Sequence, residues 1–170
     1  MGYDMKRLIG LSILLLALFP SKSFAQYEGT VGLGVHAGYS NKAKNVGAGI
    51  HLHYYHTNQL RFAPSFSCYL PSKGNSMWEA DADAHYIVPL SWLFSFYPVA
   101  GLNYSNRKFD ASKTNDTGLQ DWTKHRIGAN LGLGIQYDLG YKTRISVEYK
   151  YRFIKDFSQS SFTAGIGFWI

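Results

Sequence analysis

The chain has 170 residues, of which 46% are hydrophobic, 16% aromatic and 16% charged, with a formal net charge of +6. This length fits one domain of ordinary size, and the aromatic content with low charge argues against an intrinsically disordered chain. A single cysteine, Cys68, excludes an internal disulfide and a zinc site built from cysteines. No apolar stretch reaches about 18 residues, so any crossing of a membrane must be made by strands.

The first 25 residues have the pattern of a secretory signal peptide. Lys6 and Arg7 precede an apolar run over residues 8–19, and a small-x-small site at 23–25 predicts cleavage before Gln26. The predicted organisation is therefore a signal peptide, 1–25, followed by one mature domain, 26–170. An exported chain with so little cysteine fits a bacterial envelope.

From residue 29 onward, apolar and polar residues alternate with period two, and turn-rich clusters divide the pattern into eight segments. Each segment has about the length that a tilted membrane strand needs, roughly 9–11 residues. In chain order the predicted strands are 29–40, 46–55, 60–70, 78–88, 93–104, 125–137, 143–153 and 160–170.

The two faces of these strands differ in charge. One face is apolar and uncharged, from Leu33 and Val35 in the first segment to Phe168 and Ile170 in the last. An eight-stranded barrel has an interior that side chains just fill, so this bulky face is predicted to point outward into lipid. The polar face then lines the lumen, and its predicted network comprises Arg61, Glu79, Asp81, Asp83, His85, Arg126, Arg144, Glu148, Lys150 and Arg152.

The connections predict the orientation of the barrel. Those at 56–59, 89–92 and 138–142 are tight, whereas those at 71–77, 105–124 and 154–159 are mostly longer. Longer connections are typical of the extracellular side, which places both mature termini in the periplasm, and aromatic residues near both strand ends predict two girdles. The first and last strands are expected to pair, because a strand edge cannot stay open in lipid.

The late strands carry a family resemblance. The segments YPVAGLNY, RIGANLGLGIQY and FTAGIGFWI, with the signal peptide and strand count, resemble the small eight-stranded outer-membrane barrels of the OmpX and opacity-protein type. The resemblance covers the whole mature chain and implies an all-β, antiparallel transmembrane barrel in the outer membrane of a diderm bacterium. It also implies insertion by the outer-membrane assembly machinery, although this chain ends in Ile170 where such families end in an aromatic residue.

The expected function is that of an envelope structural or surface-interaction, adhesin-like protein, without enzyme activity or cofactor. A near-neutral lumen favours a closed, salt-bridged interior. The expected partners are outer-membrane lipid, lipopolysaccharide and an extracellular partner bound by loop 105–124, but not nucleic acid. The candidate residues of that loop are Arg107, Lys108, Phe109, Trp122 and Lys124.

Two alternatives stay open at this point. A narrow porin follows if the lumen charges leave a continuous water path. A lipid-modifying enzyme needs a serine activated by a rim histidine, for which His125 is the candidate. His36, His51 and His53 could meet across the first hairpin and ligate a metal, but hydrogen-bonded lumen histidines are the simpler interpretation and no metal is predicted.

Overall fold

The computed structural model describes residues 28–41, 45–72, 74–111, 120–140, 142–155 and 157–170, and the predicted signal peptide lies outside them. No helix that could span a bilayer occurs in this part of the chain. The described strands are β1 (Val31–Ser40), β2 (Asn45–Tyr55), β3 (Leu60–Ser72), β4 (Asn75–Tyr86), β5 (Val88–Pro89), β6 (Phe94–Phe109), β7 (Trp122–Leu139), β8 (Thr143–Ile154) and β9 (Gln159–Trp169).

These strands form one closed antiparallel sheet. Consecutive strands are paired except β4 and β5, β1 also pairs with β9, and both β4 and β5 pair with β6. The two residues of β5 continue β4 past Ile87 against the same partner strand, β6. Counted together, β4 and β5 form one strand of the wall, so the barrel has eight strands. The predicted eight-stranded antiparallel barrel and the pairing of its first and last strands are confirmed.

Alternation along each strand separates the two faces as predicted. On the outer face, Ile50 is 62% exposed and Leu131 is 53% exposed, whereas inward-facing Arg61 is fully buried and Glu79 is 1% exposed. A soluble protein would not present so many large apolar side chains to water, but a membrane barrel presents them to lipid.

Two predicted connections are wrong. The expected loop 71–77 is mostly strand, because β3 runs to Ser72 and β4 begins at Asn75, with Gly74 at φ +77° completing a tight turn. A left-handed residue at this point lets the chain reverse within two residues. Connection length therefore differs between the two ends of the barrel less than the sequence indicated.

The expected loop 105–124 is also shorter than predicted. Strand β6 continues to Phe109 and β7 begins at Trp122, and the ladder between them runs from the pair Phe94 and Tyr137 to the pair Phe109 and Trp122. Residues 105–109 and 122–124 of the predicted loop are instead paired strand residues of a hairpin longer than the rest of the wall. All five candidate loop residues lie on these two strands.

Candidate functional site

Three carboxylates follow one another on the inner face of β4. Glu79, Asp81 and Asp83 are each at most 5% exposed, and alternate residues of a strand lie about 7 Å apart. Buried like charges at this spacing need cations close by. The cations come from β8, which reaches across the lumen toward β4.

Lys150 on β8 neutralises much of this acidic row. Its Nζ lies 2.7 Å from Oδ2 of Asp83, 3.2 Å from Oδ2 of Asp81 and 3.2 Å from Oε1 of Glu148. An ammonium group has three donors, so these three carboxylates match its full hydrogen-bonding capacity.

Arg152 and two asparagines complete the surroundings of Asp81. Nη2 of Arg152 lies 3.1 Å from Oδ2 of Asp81 and 3.3 Å from Oε2 of Glu79. Nδ2 of Asn103 donates to Oδ1 of Asp81 at 2.6 Å, and Nδ2 of Asn130 donates to the same atom at 3.0 Å. The central carboxylate therefore accepts hydrogen bonds on both oxygens.

Glu79 is held at the loop end of the row by neutral donors. The Tyr69 hydroxyl donates to its Oε2 at 2.7 Å, and Nε2 of Gln159 donates to its Oε1 at 2.6 Å. The Ser40 hydroxyl in turn donates to Gln159. This chain of bonds links β1, β3, β4 and β9 across the lumen, which stabilises closure of the barrel.

A second charged layer lies at the opposite end of the lumen, next to the cluster of Tyr55, Ile87, Tyr97, Val99 and Trp169. Arg61 donates to Gln136 at 2.7 Å and stacks on Tyr97, with its guanidinium carbon 4.8 Å from the ring centroid. Arg144 forms a two-pronged pair with Asp138. Fully buried arginines packed on rings close this end of the barrel.

Histidines from β1, β2 and β4 form a column between the two layers, in which the first three rings are stacked and His85 meets His53 edge-on. Ring centroids lie 5.6 Å apart for His36 and His51, 4.4 Å for His51 and His53, and 5.9 Å for His53 and His85. Nε2 of His36 lies 2.8 Å from the Ser67 hydroxyl. The structure thus brings together the three histidines of the first hairpin, an arrangement that the sequence left open.

The column borders a polar cavity of about 40 Å³, which is large enough for two or three waters. Asp83, His85 and Glu148 bring ligand atoms within 4.8 Å of one another beside it. The hydrogen bonds of His85 do not suit a metal ligand. Because Arg61 can only donate, Nδ1 of His85 accepts, and the neutral ring carries its proton on Nε2. A ligating histidine normally donates from its second nitrogen, and Lys150 already binds both carboxylates.

Arg126, another predicted lumen residue, lies near the loop end of β7. It faces inward, is half-buried, and donates to the backbone carbonyl of His125. Sequence reasoning missed Asp138, which was assigned to a turn. The period-two pattern of Gln136 and Asp138 at the end of β7 is the signal that identifies it as an inward residue.

Beyond the level of Glu79, the β6–β7 hairpin carries a group of cationic and aromatic side chains, here called the tip cluster: Arg107, Phe109, Trp122, Lys124 and Phe157. The rings of Phe109 and Trp122 stack with centroids 5.9 Å apart. The guanidinium carbon of Arg107 lies 3.6 Å from the Phe157 centroid, and Nζ of Lys124 lies 5.0 Å from that of Trp122. Phe157 comes from the β8–β9 connection, so the tip cluster joins two connections over the barrel mouth.

The outer face of the same region carries a row of rings, here called the rim row: Phe66, Trp78, Tyr104 and His125. Successive centroids lie 5.6, 5.5 and 6.1 Å apart. Nδ1 of His125 lies 2.9 Å from the Tyr104 hydroxyl and 3.0 Å from Nδ2 of Asn106. The candidate histidine of the enzyme alternative is therefore the end of an aromatic girdle.

Comparison with solved structures shows the same fold. The N-terminal barrel domain of OprF from Pseudomonas aeruginosa matches with a TM-score of 0.71 at 16% identity, over 86% of this chain and all of that one. Neisserial surface protein A matches with a TM-score of 0.63 at 20% identity, over 82% of this chain and 95% of that one. Ail of Yersinia pestis matches with a TM-score of 0.61 at 16% identity, over 84% of this chain and 99% of that one. Ail has also been solved in complex with the heparin analogue sucrose octasulfate.

Sequence comparison identifies the family. No curated protein matches the chain in sequence. The model of a family described as "Outer membrane protein beta-barrel domain" matches residues 11–168, which include every described strand except the last residue of β9. Together with the closed eight-stranded barrel, its apolar outer face and its charged lumen, this match shows that the chain belongs to the outer-membrane β-barrel domain family.

Proposed function

We propose that this chain is a non-enzymatic surface-interaction protein, which binds anionic polymers through the β6–β7 hairpin while its lumen serves as a closed structural core. The observation that carries the proposal is the tip cluster, in which aromatic rings hold Arg107 and Lys124 at the barrel mouth. Lys108 is exposed on the outer side of the same hairpin, and Arg126 lies below it. The hairpin thus presents cations on both of its faces.

The proposal places the hairpin outside the cell and both termini in the periplasm. The connection between Phe109 and Trp122 is the longest between successive strands of the barrel, and long connections are typical of the extracellular side. Membrane barrels of this type are inserted with their short turns in the periplasm.

Sulfated or phosphorylated glycans fit such a hairpin. Guanidinium and ammonium groups form charge-assisted hydrogen bonds to sulfate and phosphate oxygens, and a cluster of one sign attracts a polyanion from a distance. The structurally similar Ail was solved with a sulfated ligand, which supports this ligand class at the level of the fold. The chemistry of the tip cluster supports it for this chain.

Salt-dependent retention on immobilised heparin tests the proposal. We expect the refolded barrel to bind at low salt, and Arg107→Gln and Lys124→Gln each to weaken binding about two- to fivefold, as expected for exposed ion pairs. Lys142→Gln is the matched control, because Lys142 is an exposed lysine in the turn at the opposite end of the barrel. Equal loss in all three variants would contradict a site on the hairpin.

The filled lumen supports this proposal over the alternative of a narrow porin. Arg61 and Arg144 fill one end, the pairs of Lys150 and Arg152 fill the middle, and the cavity between them holds only about 40 Å³. An eight-stranded barrel leaves little space beyond its side chains. We expect no steady single-channel openings from a barrel whose folding is verified by its gel shift on boiling. Discrete openings would support the porin alternative.

A further inference from the structure

We infer that His125 and the rim row form a binding site for the phosphorylated sugar headgroup of an outer-leaflet glycolipid. The inference rests on the proposed orientation, which places this rim in the outer leaflet. It concerns the outer wall of the barrel and is separate from the tip cluster, which lies over the mouth.

The depth of the rim row matches the headgroup region. Phe94 and Tyr137 pair at the opposite rim, and Tyr104 pairs with Ile127 near this one. The stretch 94–104 has the length of a tilted membrane strand, roughly 9–11 residues. Tyr104 and His125 therefore lie where hydrocarbon gives way to headgroups, and 105–109 projects beyond.

Hydrogen bonds fix the tautomer of His125. The amide nitrogen of Asn106 lies 3.0 Å from Nδ1 of His125 and can only donate, so Nδ1 must accept. A neutral imidazole then carries its proton on Nε2, and the side chain is exposed. The ring thus offers an N–H donor to a ligand at the membrane surface, as recognition of a phosphate oxygen requires.

The neighbouring side chains suit a sugar phosphate better than a simple anion. Lys108 lies one outward position beyond Asn106 on β6 and adds an ammonium group on the same face. Tyr104 is 37% exposed beside His125, so a ring face is available to pack against the apolar face of a sugar. A donor, a cation and a row of rings together match a phosphorylated glycolipid.

The test is native mass spectrometry of the refolded barrel in detergent with bisphosphorylated lipid A. We expect the wild type to retain this lipid about fivefold better than its dephosphorylated form, a factor typical of one partly hydrated charge-assisted hydrogen bond. We expect His125→Phe, which keeps a ring but removes the donor, to lose that preference. His125→Gln, which restores an N–H donor, is expected to recover part of it.

The matched control is His56→Phe, since His56 is an exposed histidine beside Phe62 in a turn at the other end of the barrel. We expect it to bind lipid as the wild type does. The inference would be overturned if His125→Phe bound lipid A as the wild type does. It would also be overturned if the wild type bound dephosphorylated lipid A or phosphatidylglycerol as well as it binds bisphosphorylated lipid A.

The outcome is distinguishable from that of the heparin experiment. If the hairpin variants lose heparin binding while His125→Phe keeps its lipid preference, only the headgroup site fails. If His125→Phe loses the lipid preference and the hairpin variants bind heparin normally, the headgroup site stands without the polymer site.

Discussion

At the scale of single residues, Lys150 is the side chain on which the lumen depends most, because its ammonium contacts Asp81, Asp83 and Glu148. We expect Lys150→Met to destabilise the barrel by about 3–5 kcal/mol, the usual cost of leaving buried charges unpaired. Urea unfolding in phospholipid vesicles, followed by the folded band on unboiled gels, measures the loss. Adding Asp83→Asn to the variant is expected to recover part of the stability.

Lys142→Met provides the comparison for this substitution. Lys142 is exposed in the turn before β8, so its replacement is expected to change the free energy of unfolding by no more than about 0.5 kcal/mol. Equal effects of the two substitutions would mean that the contacts of Lys150 do not stabilise the barrel.

The inward orientation of the acidic row was predictable from the sequence, but its partners were not. Period-two alternation places Glu79, Asp81 and Asp83 on the inner face whatever the neighbouring strands do. Which cation meets which carboxylate depends on the stagger between distant strands, and a sequence carries no direct signal for it. The contact of Lys150 with all three of its carboxylates therefore required the structure.

At the scale of strands, glycines let the histidine column lie close to the barrel wall. Gly34 on β1 pairs with Gly167 on β9, but only Gly34 is crowded. A Cβ at Gly34 would lie within 2.5 Å of the Ile166 carbonyl and would overlap His51, whereas one at Gly167 would lie 3.5 Å from His51. We expect Gly34→Ala to cost about 1–3 kcal/mol, as overpacking usually does, and Gly167→Ala to be tolerated.

The measurement for this pair is again the urea midpoint in vesicles, run side by side because the two glycines face each other across one ladder. A larger loss for Gly167→Ala than for Gly34→Ala would contradict the close packing of His51 against β1.

Strand boundaries were the least predictable part of each element. Residues 105–109 and 122–124 are polar and carry Asn, Arg and Lys, a composition typical of loops. They form strands because each finds a partner across the hairpin, and such pairing stabilises a ladder that composition alone does not favour. The structure thus places the five candidate residues of the surface site in strands, where the sequence predicted a loop.

At the scale of the whole molecule, the barrel inverts the usual distribution of polarity. Arg61, Arg144 and Arg152 are among its most completely buried side chains, while Ile127 is 73% exposed on the outer wall. An arginine introduced on the lumen side is therefore also expected to destabilise the barrel. A third guanidinium at Gln136 would stand beside Arg61, to which Gln136 now offers its carbonyl.

Arginine substitutions at two depths of the outer face test the membrane position of the barrel. Ile50 lies in the middle of β2 and is 62% exposed, so Ile50→Arg is expected to cost about 2–4 kcal/mol in lipid. Thr123 also faces outward but lies on the projecting part of β7, so Thr123→Arg is expected to cost at most about 1 kcal/mol, as near a membrane interface. Refolding yield and urea midpoint in vesicles measure both. Equal costs would mean that the lipid boundary does not lie between these two positions. The placement of His125 at the headgroup boundary would then be wrong as well.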